Sequence, residues 1–398
     1  MSCRPGRKPT CRTIPSRRRC GAGEALNAPG PVHARKHRVV IVGGGTAGCA
    51  TAIALRAHGV ADIVVAEMRP APEWRIGEAI PPAAGALLRK LGVRDAFLAQ
   101  DHLPSAGSCA SWGRDALAYN DFILGLEGEG WHIDRAAFDA MLARGAEDAG
   151  CRFLRGHRLR DAARREDGGY DLTFDTDAGG GTALAAEFLV DATGIAAGAA
   201  RRLGVARNQV DCIAVIAAPF ELARPQTVPS QALLEASEEG WWYAAKLPRA
   251  QMIVALAVEP AERSRFADAA MWSRALARTR HVSAWMARGG AGGPAPLRVA
   301  LAPSAILSCV AGQEWLAVGD AASAYDPIAA QGIVKALGDG WEAGEAIAGF
   351  FARGQAPLDA YQERVFARFR DYVRLRGQLY ARERRWNDAP FWRGRRFD

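Results

Sequence analysis

The residues best suited to chemistry stand near the start of the sequence. They are the GxGxxG run Gly43-Gly44-Gly45-Thr46-Ala47-Gly48 and, 19 residues beyond Gly48, the acid Glu67. Glycines in this pattern serve a phosphate ligand. Gly43 allows the tight turn, Gly45 lets the backbone approach a pyrophosphate, and Gly48 permits a helix to pack closely on a strand. Thr46 and Ala47 open the helix, whose unpaired N–H groups and dipole favour an anion. Glu67 lies where a carboxylate can take both ribose hydroxyls. The chemistry is dinucleotide binding.

Neighbouring segments carry the elements that must hold this group. Val39-Val40-Ile41-Val42 is a β-branched run that reads as a buried parallel strand. Ala50, Ile53, Ala54, Leu55 and Ala57 form a helical stripe ending at Gly59, and Ile63–Ala66 forms a second strand ending at Glu67. Strand, glycine loop, helix, strand and acid occur in the order that the fingerprint requires.

Composition narrows the class. A chain of 398 residues with 49% hydrophobic and 24% charged residues is neither disordered, nor collagen-like, nor a small disulfide scaffold. Its net charge of +8 is local: residues 1–38 hold ten Lys and Arg against Glu24, leaving 41 basic and 42 acidic residues in the body. We therefore expect residues 1–37 to be a disordered basic tail, with a transit peptide as the alternative, and expect no nucleic-acid ligand. Cys49, Cys109, Cys151, Cys212 and Cys309 are scattered singly, without CxxC or His/Cys spacing. This predicts reduced thiols, no metal site and a cytoplasmic location. The uncharged stretch Val39–Leu55 carries four glycines, so no membrane span is expected.

Further chemistry-bearing residues follow. Asp134 and Arg135 open an amphipathic helix, and three strands are predicted over Phe153–Arg160, Tyr170–Asp175 and Ala183–Val190. They lead into Asp191-Ala192-Thr193-Gly194. Downstream, Trp315–Val318 runs into Gly319-Asp320, then Tyr325-Asp326-Pro327, then Gln331-Gly332 before a helix predicted over Ile333–Ala348. In this order the motifs resemble the FAD-containing group of aromatic hydroxylases, flavin-dependent tryptophan halogenases and geranylgeranyl reductases, from about residue 38 to 348.

The resemblance implies FAD as cofactor, with Arg135 near its ribose or pyrophosphate, Asp191 and Gly194 beside it, and Asp320 on a ribityl hydroxyl. The helix after Gln331-Gly332 would aim its positive end at the flavin pyrimidine edge, where negative charge accumulates on reduction. Arg75-Ile76-Gly77-Glu78-Ala79-Ile80-Pro81, followed by a helix over Ala84–Leu91, resembles the halogenases' G-E-x-x-P segment close to the flavin. The fold expected is α/β: a discontinuous Rossmann-type FAD-binding domain (38–100, 131–207 and 305–345), an inserted β-sheet substrate domain (101–130 and 208–304), and a C-terminal helical segment (346–398). Helices are predicted over Met271–Ala287 and Leu358–Arg385.

The substrate side separates the chemistries. Gly240-Trp241-Trp242-Tyr243-Ala244-Ala245-Lys246-Leu247-Pro248 falls where halogenases carry W-x-W-x-I-P, but departs from it at Tyr243 and at Ala245-Lys246. The stretch His102–Trp112, where halogenases keep the lysine that captures hypohalous acid, contains no lysine. Lys246 is the substitute to consider. The remaining resemblance is to halogenase-like flavoproteins without that lysine, including enzymes that oxidise tryptophan within a partner polypeptide to build a quinone cofactor. It implies hydroxylation of an electron-rich aromatic, foremost an indole or tryptophan side chain, through a flavin C4a-hydroperoxide. Trp241, Trp242, Tyr243 and Pro327 are the candidates to line the pocket. A free aromatic small molecule is the alternative substrate; a halogenase and a geranylgeranyl-reductase-type enzyme are the alternative activities. Electrons would come from NAD(P)H or from a separate flavin reductase.

Overall fold

Four apolar residues in succession, Val39–Val42, are each 3% exposed or less, because helices cover both faces of the strand they form. The computed structural model describes residues 36–73, 75–122 and 128–395. The expected tail, apart from its last two residues, lies outside the described residues. Lys36–Val42 is central to a parallel core ordered Trp315–Ala317, Gly181–Asp191, Lys36–Val42, Ile63–Glu67, Arg152–Arg155. Register aligns the carboxyl ends: Val42 pairs with Ala66 and with Asp191, and Asp191 with Ala317. The loops that start at Gly43, Glu67, Ala192 and Val318 therefore leave the sheet along one edge, where ligands of open α/β sheets bind.

The strand expected over Phe153–Arg160 is two strands. The chain breaks at Gly156, whose φ is +69°. Arg152–Arg155 completes the parallel core, and His157–Arg164 starts an antiparallel meander with Tyr170–Thr176 and Gly181–Asp191.

Two helices, Thr46–Ala57 and Gly332–Arg353, lie side by side in the same direction. Glycines make that contact possible: a Cβ on Gly340 would sit 2.6 Å from Ala50 Cβ, and one on Gly344 2.5 Å from Ala54 Cβ. Both N-termini consequently point at the same sheet edge. The second helix runs through residue 346, so the expected boundary between the FAD domain and the C-terminal segment falls inside it.

A second sheet is ordered Ser323–Ala324, Arg298–Leu307, Arg207–Glu221, Gln251–Val258, Gly240–Leu247, Ala232–Ser237, Gly107–Ser111, Ala118–Asp121. Leu103–Ser105 does not join it but pairs with Gly130–His132, which also pairs with Ala79–Ile80. One face of the large sheet is covered by helices Arg263–Phe266, Ala269–Leu276 and His281–Gly289. The single helix expected over Met271–Ala287 is broken because buried Glu235, on a neighbouring strand, accepts the N–H groups of Arg280, His281 and Val282 at 2.6, 2.9 and 2.9 Å. That carboxylate caps a new helix start. The other face packs under the C-terminal chain through Tyr380, in the last turn of the long helix Ala356–Ala381, and through Phe391 and Trp392 beyond it. Among the described residues, no helix is long and apolar enough to cross a membrane.

Candidate functional site

The glycine loop is built as its residue types demand, and each glycine does something different. A Cβ on Gly43 would collide with the Ala192 carbonyl, and one on Gly48 with the carbonyl of Gly43. At Gly45 the nearest atom to such a Cβ is Arg75 Nη2, 3.8 Å away, so the space in front of it stays open. Gly45 is also the N-cap of Thr46–Ala57 and caps it with no side chain. Glu67 leaves its strand to accept N–H groups from Gly44 at 2.7 Å and Arg69 at 3.0 Å. A carboxylate has about four lone-pair sites, so Glu67 keeps acceptor capacity towards the cleft it lines with Gly45, Arg69, Arg75 and Phe153.

Thr46 is turned inward. Its hydroxyl donates to buried Asp139 at 3.1 Å, and Asp139 also accepts from Arg75 at 2.6 Å and Arg135 at 3.5 Å. Arg135 in addition holds the Gly77 carbonyl at 3.0 Å. Asp139 thus anchors two guanidinium groups beside the open face of Gly45. The sequence reading missed it, although its spacing four residues after Arg135 is a helical pairing signal. The Nε atoms of Arg75 and Arg135 are buried with no hydrogen-bond partner among the described residues.

The opposite side comes from the G-D turn. A Cβ on Gly319 would lie 2.7 Å from Ala47 Cβ, so this turn sits against the first helix at the glycine loop. The Asp320 side chain is 44% exposed, with Lys335 Nζ 3.8 Å away; Lys335 also meets Asp339 at 3.2 Å. Gln331 and Gly332 are exposed, and no side chain caps the helix that they open. Asp191 differs from expectation. Fully buried, it accepts from Thr193 N and Oγ1 at 3.0 and 2.6 Å and from Ala200 N at 2.7 Å. Its carboxylate braces the Ala192–Gly194 loop from beneath instead of facing a ligand.

Of the three aromatic candidates only Tyr243 stays half-buried on the site side. Strand alternation turns Trp242 to the other face, 1% exposed and edge-on to Trp272 at 5.3 Å. Trp241 shares the face of Tyr243 but is covered: its Nε1 donates to Tyr380 OH at 3.0 Å, and that hydroxyl donates to Asp326 Oδ2 at 2.7 Å. Arg376 Nε reaches the same oxygen at 3.2 Å. Asp326, whose own pKa is raised by burial, also caps Ile328 N at 3.0 Å. The loop bearing exposed Pro327 is therefore tied to the C-terminal helix. Tyr243 packs against one apolar cluster, as do Ile76 and Ile328 from the segments preceding Glu78 and Gly332. Lys246 points away: its Nζ is bonded to the carbonyls of Val228 at 3.1 Å and Pro225 at 3.5 Å.

These residues fit FAD. Two uncapped helix ends, an open glycine, two arginines with orphaned Nε donors and an exposed Asp320 suit a diphosphate and its sugars. Fold and site together define an FAD-dependent oxidoreductase.

The model of the FAD binding domain family matches residues 36–375, and the chain belongs to that family. Among curated proteins it is similar to the putative FAD-dependent oxidoreductase LodB of Marinomonas mediterranea, with 25% identity over 89% of this chain and 96% of LodB. Among solved structures it is similar in fold to the flavin-dependent halogenase CmlS, with a TM-score of 0.80 and 23% identity over 91% of this chain and 68% of that one. It is also similar in fold to QhpG, a peptidyl tryptophan dihydroxylase essential for tryptophylquinone cofactor biogenesis. There the TM-score is 0.65, with 24% identity over 90% of this chain and 78% of QhpG.

Proposed function

We propose that this flavoprotein is a monooxygenase that hydroxylates an electron-rich aromatic ring, foremost the indole of a tryptophan within a partner polypeptide. The observation that carries the reading is the site face of the substrate sheet. Its apolar cluster has Tyr243, Ile76 and Ile328 packed against it, while the amine of Lys246 is spent on carbonyls behind the sheet. Halogenation through a captured hypohalous acid needs an amine on the site side. Hydroxylation needs a dry, apolar pocket and a well-placed ring. The likeness in fold to QhpG, a peptidyl tryptophan dihydroxylase, supports a polypeptide target by resemblance.

Bound and reduced, FAD supplies the activation of O2. The chain's own groups do the rest. Gly45, Arg75 and Arg135 would hold the diphosphate, Glu67 the adenosine ribose and Asp320 the ribityl chain. The open end of Gly332–Arg353 would stabilise negative charge on the pyrimidine edge. Electrons come from NAD(P)H, bound directly or delivered through a flavin reductase. Among the described residues Cys49, Cys109, Cys151 and Cys212 are free thiols, and a cytoplasmic setting is part of this proposal.

The test supplies the FAD-loaded protein with NAD(P)H or a flavin reductase, O2, bromide and tryptophan-containing peptides, and weighs the products. A gain of oxygen without halogen is expected. Bromine in the product, or product formed without oxygen consumption, overturns the proposal.

A further inference from the structure

A lysine stands where helix physics opposes one. Lys335 lies in the first turn of Gly332–Arg353, and its N–H closes that turn onto the Gln331 carbonyl at 2.9 Å. The dipole disfavours a cation there, and lysine is almost never buried without a partner. Yet the Lys335 side chain is 6% exposed. Helical side chains lean towards the N-terminus. The amine accordingly comes to 3.8 Å from Asp320 Oδ1, on the turn that would face the ribityl chain. Asp339, one helical turn further on and buried, approaches it with Oδ2 at 3.2 Å. The Tyr325 ring closes another side, its centroid 5.0 Å from the amine.

The neighbouring charges show which of the two acids needs the lysine. Arg368 Nη2 reaches the other oxygen of Asp339 at 3.0 Å, and its Nη1 reaches Glu342 at 2.7 Å. Glu342 in turn meets Arg364 at 3.1 Å. Arg364, Glu342, Arg368 and Asp339 cancel among themselves, which leaves the charge of Lys335 for Asp320. The backbone of Asp320 is fixed separately, since its carbonyl accepts from Arg207 Nη2 at 2.6 Å. The ammonium donors of Lys335 have no hydrogen-bond partner among the described residues, so they remain free to meet the carboxylate.

We propose that Lys335 is a positioning residue that holds Asp320 at the flavin and cancels its charge there. It rests on the placement of Asp320 at FAD in the reading above, and is independent of which ring is oxidised. Reduction puts negative charge on the flavin. A bare Asp320 carboxylate opposes that charge, and the buried ammonium behind it removes the opposition. The lysine therefore tunes the cofactor through Asp320, from a helix turn whose dipole alone would exclude it.

The experiment measures the two-electron potential of the FAD-loaded proteins, freed of unbound FAD, by reductive titration with dithionite against a reference dye. FAD affinity is read by flavin fluorescence. Lys335→Met should favour the oxidised form on the order of tenfold, the low end of what one neighbouring charge does to a titration, which lowers the potential by about 30 mV. Lys335→Arg should stay close to wild type. Asp320→Asn alone should weaken FAD and raise the potential. The double variant Lys335→Met/Asp320→Asn should recover from the drop of Lys335→Met, because the bared carboxylate is gone. A wild-type potential in Lys335→Met overturns the inference, as does a double variant no higher in potential than Lys335→Met. Asp320→Asn with wild-type affinity and potential removes Asp320 from the flavin and this inference with it, whereas the masses of peptide products judge hydroxylation separately. Arg368 keeps Asp339 paired in Lys335→Met; should that variant still fail to fold, Lys335→Gln takes its place and the same outcomes decide.

Discussion

Two glycines three positions apart in the same loop should respond to alanine in opposite ways. Gly45→Ala adds a methyl where the nearest atom is Arg75 Nη2 at 3.8 Å, on a backbone of φ −77° and ψ −173° that alanine adopts freely. Less freedom in the unfolded chain stabilises by about 0.4–1 kcal/mol, and the poorer N-cap removes a similar amount. The FAD-free protein should therefore melt within about 1 kcal/mol of wild type. The methyl nevertheless occupies the approach to an anion at the helix end. Losing one charge-assisted hydrogen bond there, about 1.5–3 kcal/mol, weakens FAD roughly 10- to 150-fold. Gly48→Ala puts its methyl into the Gly43 carbonyl, inside the loop. Overpacking of this kind costs typically about 1–3 kcal/mol, and here nothing flexible can yield. The assay pairs thermal melts of the FAD-free proteins with FAD titration followed by flavin fluorescence. A Gly45→Ala protein that melts early, or that binds FAD like wild type, refutes this division of roles; so does a Gly48→Ala protein as stable as its parent.

Three further outcomes follow. Trp242→Ala should cost about 3–5 kcal/mol in denaturant unfolding, because Trp242 is 1% exposed against Trp272, and should leave FAD affinity unchanged. Lys246→Met should lower stability by about 1 kcal/mol through its lost carbonyl bonds, while peptide products, read by mass, stay the same in kind and yield. Stability against pH should bend twice. Glu78 rises from 4.5 to about 7 on folding, so the protein loses about 3 kcal/mol as pH climbs through that window, and melts of Glu78→Gln should lack the loss. His132 falls from 6.5 to about 4, so stability drops by a similar amount as pH falls through that range, and His132→Phe should blunt the drop.

What the sequence made legible follows from how far apart the cooperating residues lie. The unit from Val39 to Glu67 is local: strand, turn, helix and acid are adjacent in the chain, and steric need alone calls for glycine at positions 43 and 48. The Gly319-Asp320 turn and the helix from Gly332 are equally local, and both arrive at the expected sheet edge. Period-two alternation in Gly240–Leu247 already separates Trp241 and Tyr243 from Trp242 and Lys246, so half of the aromatic assignment was available from parity. What parity cannot supply is which face is covered, and by what. Trp241 is closed off by Tyr380, 139 residues away, and the helix break before His281 depends on Glu235. Asp191 shows the same limit. Its place at a strand end suited a ligand contact, and only the approach of Thr193 and Ala200 reveals a brace. Glu78 is the extreme case. Its segment marks it as a flavin-side residue, but its raised pKa arises only when folding strips water from the carboxyl. A carboxyl pushed up to about 7 by desolvation is a property of that buried setting, which explains why no local pattern announces it and why melts of Glu78→Gln should lose the pH dependence it brings.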